Sequence, residues 1–91
     1  FLCSCDEVAY NLMEQLKRQG YRIPQDIAVA GYDDFTFAKI ATPHLTTYRV
    51  DVAAMADMVV GQLVRKIRGK HVTKGNMVVS GRFILRGSTV L

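Results

Sequence analysis

The sequence predicts an α/β protein, a parallel sheet flanked by helices. Three observations carry that expectation. Strand-like and helix-like segments alternate along the 91 residues, the order that builds layered sheets. The run IAVAGY, residues 27–32, is short, continuous and apolar, the mark of a strand covered on both faces. A helical segment separates it from the earlier apolar run FLCS, and such a connection makes a parallel pair with a right-handed crossover.

The elements follow in order. FLCS is tight and apolar and reads as a buried strand. DEVAYNLMEQLKRQG reads as a helix, with Val8, Ala9, Leu12, Met13 and Leu16 on one stripe. Asp6 and Glu7 suit its positive end, Lys17 and Arg18 its negative end, and Gly20 the left-handed stop. YRIPQD is a loop punctuated by Pro24. After IAVAGY a short helix is expected over residues 35–40, ended by the approach to Pro43. LTTYRV is rich in β-branched residues and reads as strand. Asp51 can cap a further helix with Val52, Met55, Ala56, Val59, Leu63 and Ile67 at helical spacing. Gly61 inside that helix costs up to ~1 kcal/mol against alanine, and it leaves room for a close helix contact. Gly69 and Gly75 bracket a polar loop, and NMVVSGRFILRGS supplies one or two closing strands broken near Gly81.

Composition narrows the function classes. Apolar residues make up 49% of the chain, which argues against disorder. No apolar run approaches the ~20 residues of a membrane span. Net charge is +4, from 12 basic and 8 acidic residues. The basic residues gather at helix ends, Lys17 and Arg18 in one place, Arg65, Lys66, Arg68 and Lys70 in the other. There they offset helix dipoles instead of forming the one-sided footprint of a nucleic-acid binder. Cys3 and Cys5 would share one face of a strand, but a single C-x-C lacks the four ligands of a zinc site. His44 and His71 show no ligand spacing, so neither metal nor cofactor is expected. The thiols read as reduced, in a cytoplasmic protein. The chain opens at Phe1 inside an apolar stretch, so it reads as a piece of a longer chain.

The chemistry concentrates at Asp33 and Asp34. They fall just past the carboxyl end of IAVAGY, the edge where open α/β sheets bind ligands. Gly31 leaves room for close approach, and Tyr32 offers a flat apolar face. A carboxylate beside an aromatic ring suits a sugar or another polyol, since each charge-assisted hydrogen bond is worth about 1.5–3 kcal/mol. Three roles stay open on chemistry alone. Asp33 can be a turn or helix cap with Asp34 a solvated partner. The pair can belong to a small-molecule site. Or it can do acid–base or metal work, in which Asp6 and Glu7 could join.

The order of motifs resembles the end of the effector-binding domain of the lactose/galactose repressor (LacI/GalR) family. The matching residues are Asp6 and Ala9 at the helix start, then Gly20, then Ile23-Pro24-Gln25-Asp26. Gly31-Tyr32-Asp33-Asp34 and Pro43-His44-Leu45-Thr46-Thr47 follow. FILRGSTVL looks like the family's terminal Arg-x-Ser-Thr. The resemblance covers essentially the whole chain and implies a periplasmic-binding-protein-like type I fold, two α/β subdomains around a ligand cleft. Residues 1–47 and 77–91 would lie in the C-terminal subdomain. Residues 48–76 would form a crossover and a helix packing on the N-terminal subdomain.

The resemblance also implies roles. Asp33 matches the aspartate that hydrogen-bonds the effector, with Tyr32 and Cys5 beside it, while Asp34 supports the turn. Cys5 departs from the family, which often has asparagine there, and cysteine is a poor hydrogen-bond partner. Dimer contacts would involve Tyr10 and Met13 and the stretch holding Ala41, Thr42 and His44. The implied protein is a non-enzymatic transcription regulator that senses a small sugar-like effector. Operator DNA would be read by an N-terminal headpiece outside these residues. The alternatives are a solute-binding protein of the same fold serving a transporter, and a small α/β enzyme using Asp33 and Asp34. Exposed sheet edges also predict a homodimer or other self-association.

Overall fold

Helix α1 (Asp6–Arg18) forms where the acidic and basic ends and the apolar stripe expect it. Ala9 and Met13 are its buried apolar residues, whereas Val8 lies half out in solvent. Gly20 adopts φ +89°. It closes the helix by a paired motif, its N–H bonding Lys17 O at 3.0 Å and the Tyr21 N–H bonding Leu16 O at 3.0 Å. The structure, a computed structural model, describes residues 1–72 and 75–90. They divide into two units, Phe1–Val50 with Arg82–Leu91, and Asp51–Gly81.

In the first unit, residues 28–32 run between two parallel neighbours. On one side Ala30 N–H bonds Phe1 O, and Cys3 N–H bonds Ala30 O, both at 2.8 Å. On the other, Gly31 N–H bonds Thr46 O at 2.9 Å. Parallel bridges join Ala30 to Leu2 and to Thr46, and Asp33 to Arg49. The parallel arrangement read from the sequence is therefore present, as short bridges. Strand β1 (Thr47–Arg49) then pairs antiparallel with β2 (Arg82–Ile84), Tyr48 opposite Phe83. The buried Ser88 hydroxyl stitches the layer from its end. It donates to Val29 O at 2.6 Å and accepts from Thr46 N at 2.8 Å.

Helix α2 (Thr36–Ile40) packs on α1, and Ala9 and Met13 of α1 and Ala38 of α2 meet Val29 and Leu45 of the layer in one buried cluster. The core is Ala9, Met13, Ile23, Val29, Ala38, Ala41 and Leu45. Two expectations change. Residues 27–32 are covered on one side only, with Val29 and Gly31 buried and Ala28 and Tyr32 exposed. FLCS is not a buried strand, since Phe1 and Leu2 are 70% and 80% exposed. Both changes share a cause: helices of this unit supply cover for only one face.

The second unit is built on α3 (Val52–Ile67). Asp51 caps it, its carboxylate accepting from Ala54 N at 3.0 Å. Gly69 ends it with φ +69° and the same paired motif, through Lys66 O and Arg65 O. None of its residues is buried, and Val52, Val59, Leu63 and Ile67 stay exposed. Gly61 lies within this helix, and a Cβ added there would meet nothing within 4 Å among the described residues beyond the helix's own backbone. Part of the expected loop between Gly69 and Gly75 lies outside the described residues. Among the described residues, no helix is long and apolar enough to cross a membrane.

Candidate ligand-binding site

The turn that follows Gly31 is tied to its surroundings almost atom by atom. Asp6 N–H bonds Tyr32 O at 3.1 Å, and Asp33 N–H bonds Tyr48 O at 3.0 Å. Asp34 N–H reaches Thr47 Oγ1 at 3.3 Å, and Phe35 N–H bonds Asp6 Oδ2 at 2.9 Å. Asp33 and Asp34 hold φ of +116° and +62°. Two consecutive non-glycine residues in that region cost about 1–3 kcal/mol each and persist only where surrounding contacts over-determine them. Here those contacts are the ones just named, together with an ionic clasp.

That clasp is centred on Asp34. Its side chain is 2% exposed. Arg49 Nε donates to Oδ2 and Arg86 Nη1 to Oδ1, each at 2.7 Å. Arg86 Nη1 also bonds Leu45 O at 3.0 Å. Burial pushes the Asp34 carboxyl up, but the hydrogen bonds and charges of Arg86 and Arg49 outweigh it and hold the group below its usual range. Asp34 is thus a buried, paired anion and not a solvated partner of Asp33.

Asp6 is the second anchor. It is 2% exposed, and Oδ1 accepts from the Thr47 hydroxyl at 2.7 Å. Its carboxylate therefore serves α1, the turn and β1 together. Gly31 makes this possible: a Cβ there would strike Asp6 Oδ1 and lie 2.9 Å from Leu45 Cδ2. The room that the sequence reading reserved for a ligand is taken by the protein's own carboxylate.

Asp33 contrasts with both. Among the described residues its carboxylate joins none of the ion pairs. It lines an open hollow of about 220 Å³ together with Cys5, Asp6, Glu7, Phe35, Thr36 and Phe37. Asp33 and Cys5 thus line the same hollow. Cys5 is the N-cap residue of α1, and its side chain makes no capping bond. Tyr32 is not on this hollow. It stacks on Tyr48 at 5.4 Å and 14°, and Tyr48 meets Phe83 edge-on at 5.2 Å. These three rings, with Leu2 and Gly31, line a second hollow of about 300 Å³. The flat face expected beside Asp33 belongs to that other surface.

The residues expected near a two-fold axis also separate. Met13 and Ala41 are each 1% exposed and packed in the core of their own unit, so neither side chain is available to a second copy. Tyr10 is half-buried, its ring 5.4 Å from Phe37. Thr42 and His44 are exposed. Thr42 O accepts from Lys17 Nζ at 2.9 Å, and His44 Nδ1 lies 3.0 Å from Ala41 O.

Sequence reasoning gave no site role to Arg49, Arg86 or Thr47. Arg86 belongs to the closing FILRGSTVL segment, and its distant partner Asp34 gives it a function. No group of three or more His, Cys, Asp or Glu among the described residues is placed to hold a metal ion.

The model of a periplasmic binding protein-like domain matches residues 1–89. The arabinose metabolism transcriptional repressor of Geobacillus stearothermophilus is 37% identical over 90 residues, covering 98% of this chain and 25% of the relative. A periplasmic binding protein/LacI transcriptional regulator from Alkaliphilus metalliredigens, solved with D-xylulofuranose, superposes with TM-score 0.93 at 27% identity. It is matched over 99% of this chain and 34% of its own. The Lac repressor dimer, solved with operator and the anti-inducer ONPF, gives TM-score 0.88 at 30% identity, over 99% of this chain and 31% of its own. The chain thus spans about a quarter of the length of the curated relative and a third of the solved chains.

Proposed function

The chain belongs to the periplasmic binding protein-like domain family, among the LacI/GalR transcription regulators, and we propose that it holds part of the effector site of its parent's sensor domain. The observation that carries the proposal is the contrast between two adjacent carboxylates. Asp34 is bound up in ion pairs, whereas Asp33 is held in a costly backbone conformation and lines an open hollow without joining any of them. Strain of that kind clusters at ligand sites. An aspartate carboxylate outside the ion pairs of the described residues can accept two hydrogen bonds from neighbouring hydroxyls, which suits a sugar-like effector. Cys5 adds bulk and little polarity on the same hollow.

In the parent, the effector would bias two arrangements of the sensor's subdomains and so change operator affinity. DNA is read by a headpiece outside these residues, and the regulator works as a cytoplasmic homodimer. Tyr10, Thr42 and His44 are the residues of the expected contact that still offer surface to a second copy. Within the expected crossover 48–76, Tyr48 and Arg49 belong to the sheet of the first unit; helix α3 is the part that crosses to the other subdomain, and its exposed apolar side chains are the surface that packs there. A solute-binding protein of the same fold remains the rival reading, but the named relatives are regulators.

The test is calorimetry on the full-length protein, with arabinose and D-xylulose as probes and sedimentation as a check for the dimer. Asp33→Ala should weaken binding at least tenfold, since one charge-assisted hydrogen bond is worth about 1.5–3 kcal/mol and ~1.4 kcal/mol is tenfold. Unchanged affinity in a folded Asp33→Ala variant would sink the proposal.

A further inference from the structure

Asp33 and Asp34 share a turn, and the contacts of one fix the conformation of the other. We infer that Asp34 is a positioning residue for Asp33. Its ion pairs to Arg86 and Arg49 hold the turn left-handed and so keep the Asp33 carboxylate at the hollow. That purpose rests on the ligand-binding reading of Asp33; the mechanical role does not.

The geometry carries the argument in three steps. First, both residues have positive φ, so the turn relaxes wherever its contacts allow. Second, the amide of Asp34 is the most loosely held of the turn. Asp33 N–H is bonded to Tyr48 O, but Asp34 N–H reaches Thr47 Oγ1 only at 3.3 Å. Beyond that amide the turn is pinned by Phe35 N–H on Asp6 Oδ2 at 2.9 Å and by the Asp34 carboxylate, with both oxygens held at 2.7 Å. Third, the two arginines are unequal. Arg86 is 16% exposed and has a second anchor on Leu45 O, whereas Arg49 is 44% exposed. Arg86 therefore carries most of the positioning. Arg49 ends β1 and Arg86 follows β2 by two residues. The clasp thus makes the orientation of Asp33 depend on the path of both strands.

The experiment uses the full-length protein by NMR, reading the backbone carbon shifts and amide exchange of Asp33 and Asp34. Arg86→Met should keep cooperative melting, shift both residues toward ordinary negative φ and speed Asp33 amide exchange at least tenfold. Arg49→Met should do less. Arg86→Lys should restore the native values, because one ammonium can serve both Asp34 Oδ1 and Leu45 O, and a generic packing role would not be rescued this way. Should Arg86→Met fail to fold, Asp34→Asn takes its place, as it keeps shape and removes the charge. Native shifts and exchange in either folded variant would overturn the inference. Arabinose and D-xylulose titrations separate the two claims. A loosened turn with sugar affinity unchanged in both Arg86→Met and Asp33→Ala means that the ligand reading has failed and the mechanical one stands.

Discussion

Replacing Asp34 by alanine should cost the folded protein about 1.5–4 kcal/mol, and the structure says how that divides. The contact with Arg86 is the larger part. Both side chains are largely buried, at 2% and 16% exposure, and a hydrogen bond to a charged group is worth about 1.5–3 kcal/mol. The contact with Arg49 is as short, but that guanidinium is 44% exposed. Solvent screening reduces it to the range of surface pairs, about 0–1 kcal/mol. Arg86 keeps Leu45 O as a partner after the substitution, so the total stays at or below the ~3–5 kcal/mol seen when a fully buried pair loses one member.

Double-mutant cycles in urea denaturation of the full-length protein measure this division. The Asp34–Arg86 coupling should exceed the Asp34–Arg49 coupling by roughly 1 kcal/mol or more, the gap between part-buried and exposed pairs. The pH dependence has a definite sign. The folded Asp34 carboxyl lies below its usual range, so its contribution is complete above the unfolded value of about 3.9. It is lost as pH falls through the folded value. The difference between wild type and Asp34→Ala should therefore shrink on acidification below about pH 4. An Arg49 coupling larger than the Arg86 coupling would refute the reasoning. So would a difference that stays constant as the protein is taken well below that pH.

Gly31→Ala should lower stability by about 1–3 kcal/mol, the usual range for overpacking, because the new methyl would strike Asp6 and crowd Leu45. A thermal melt checks it, and an unchanged melting temperature would mean that Asp6 can turn aside without loss. Asp51→Ala removes the cap on Ala54 N–H and should cost about 1 kcal/mol. Faster amide exchange at Ala54 is the signature, and unchanged exchange there would show that the cap contributes nothing.

Local signals made the helices legible. The acidic starts, the basic ends and the glycines at 20 and 69 act within a few residues of themselves, so α1 and α3 fall where the pattern puts them. The strands were less legible. Residues 27–32 were read as covered on both faces because a continuous apolar run does not say which neighbours are present. In the structure Tyr32 is exposed and Val29 buried, the alternation of a layer covered on one side. The antiparallel pairing of β1 with β2 joins segments with a 16-residue helix between them. Nothing in either segment specifies that partner.

The acidic pair shows where sequence reasoning stops. Asp33 and Asp34 are chemically identical and adjacent, so composition and spacing treat them alike. Their roles diverge through partners 15 and 52 residues away. Arg86 had looked like one residue of a closing motif, and Asp6 like a dipole partner of its own helix. Folding brings them to two faces of one turn, Asp6 accepting from the Phe35 amide and Arg86 donating to the Asp34 carboxylate. The turn holds its conformation because those contacts take up the carboxylates of Asp6 and Asp34. Asp33 can serve a ligand because these two neighbours are already satisfied, which makes the buried ion pairs a condition of the binding site and not a separate matter of stability.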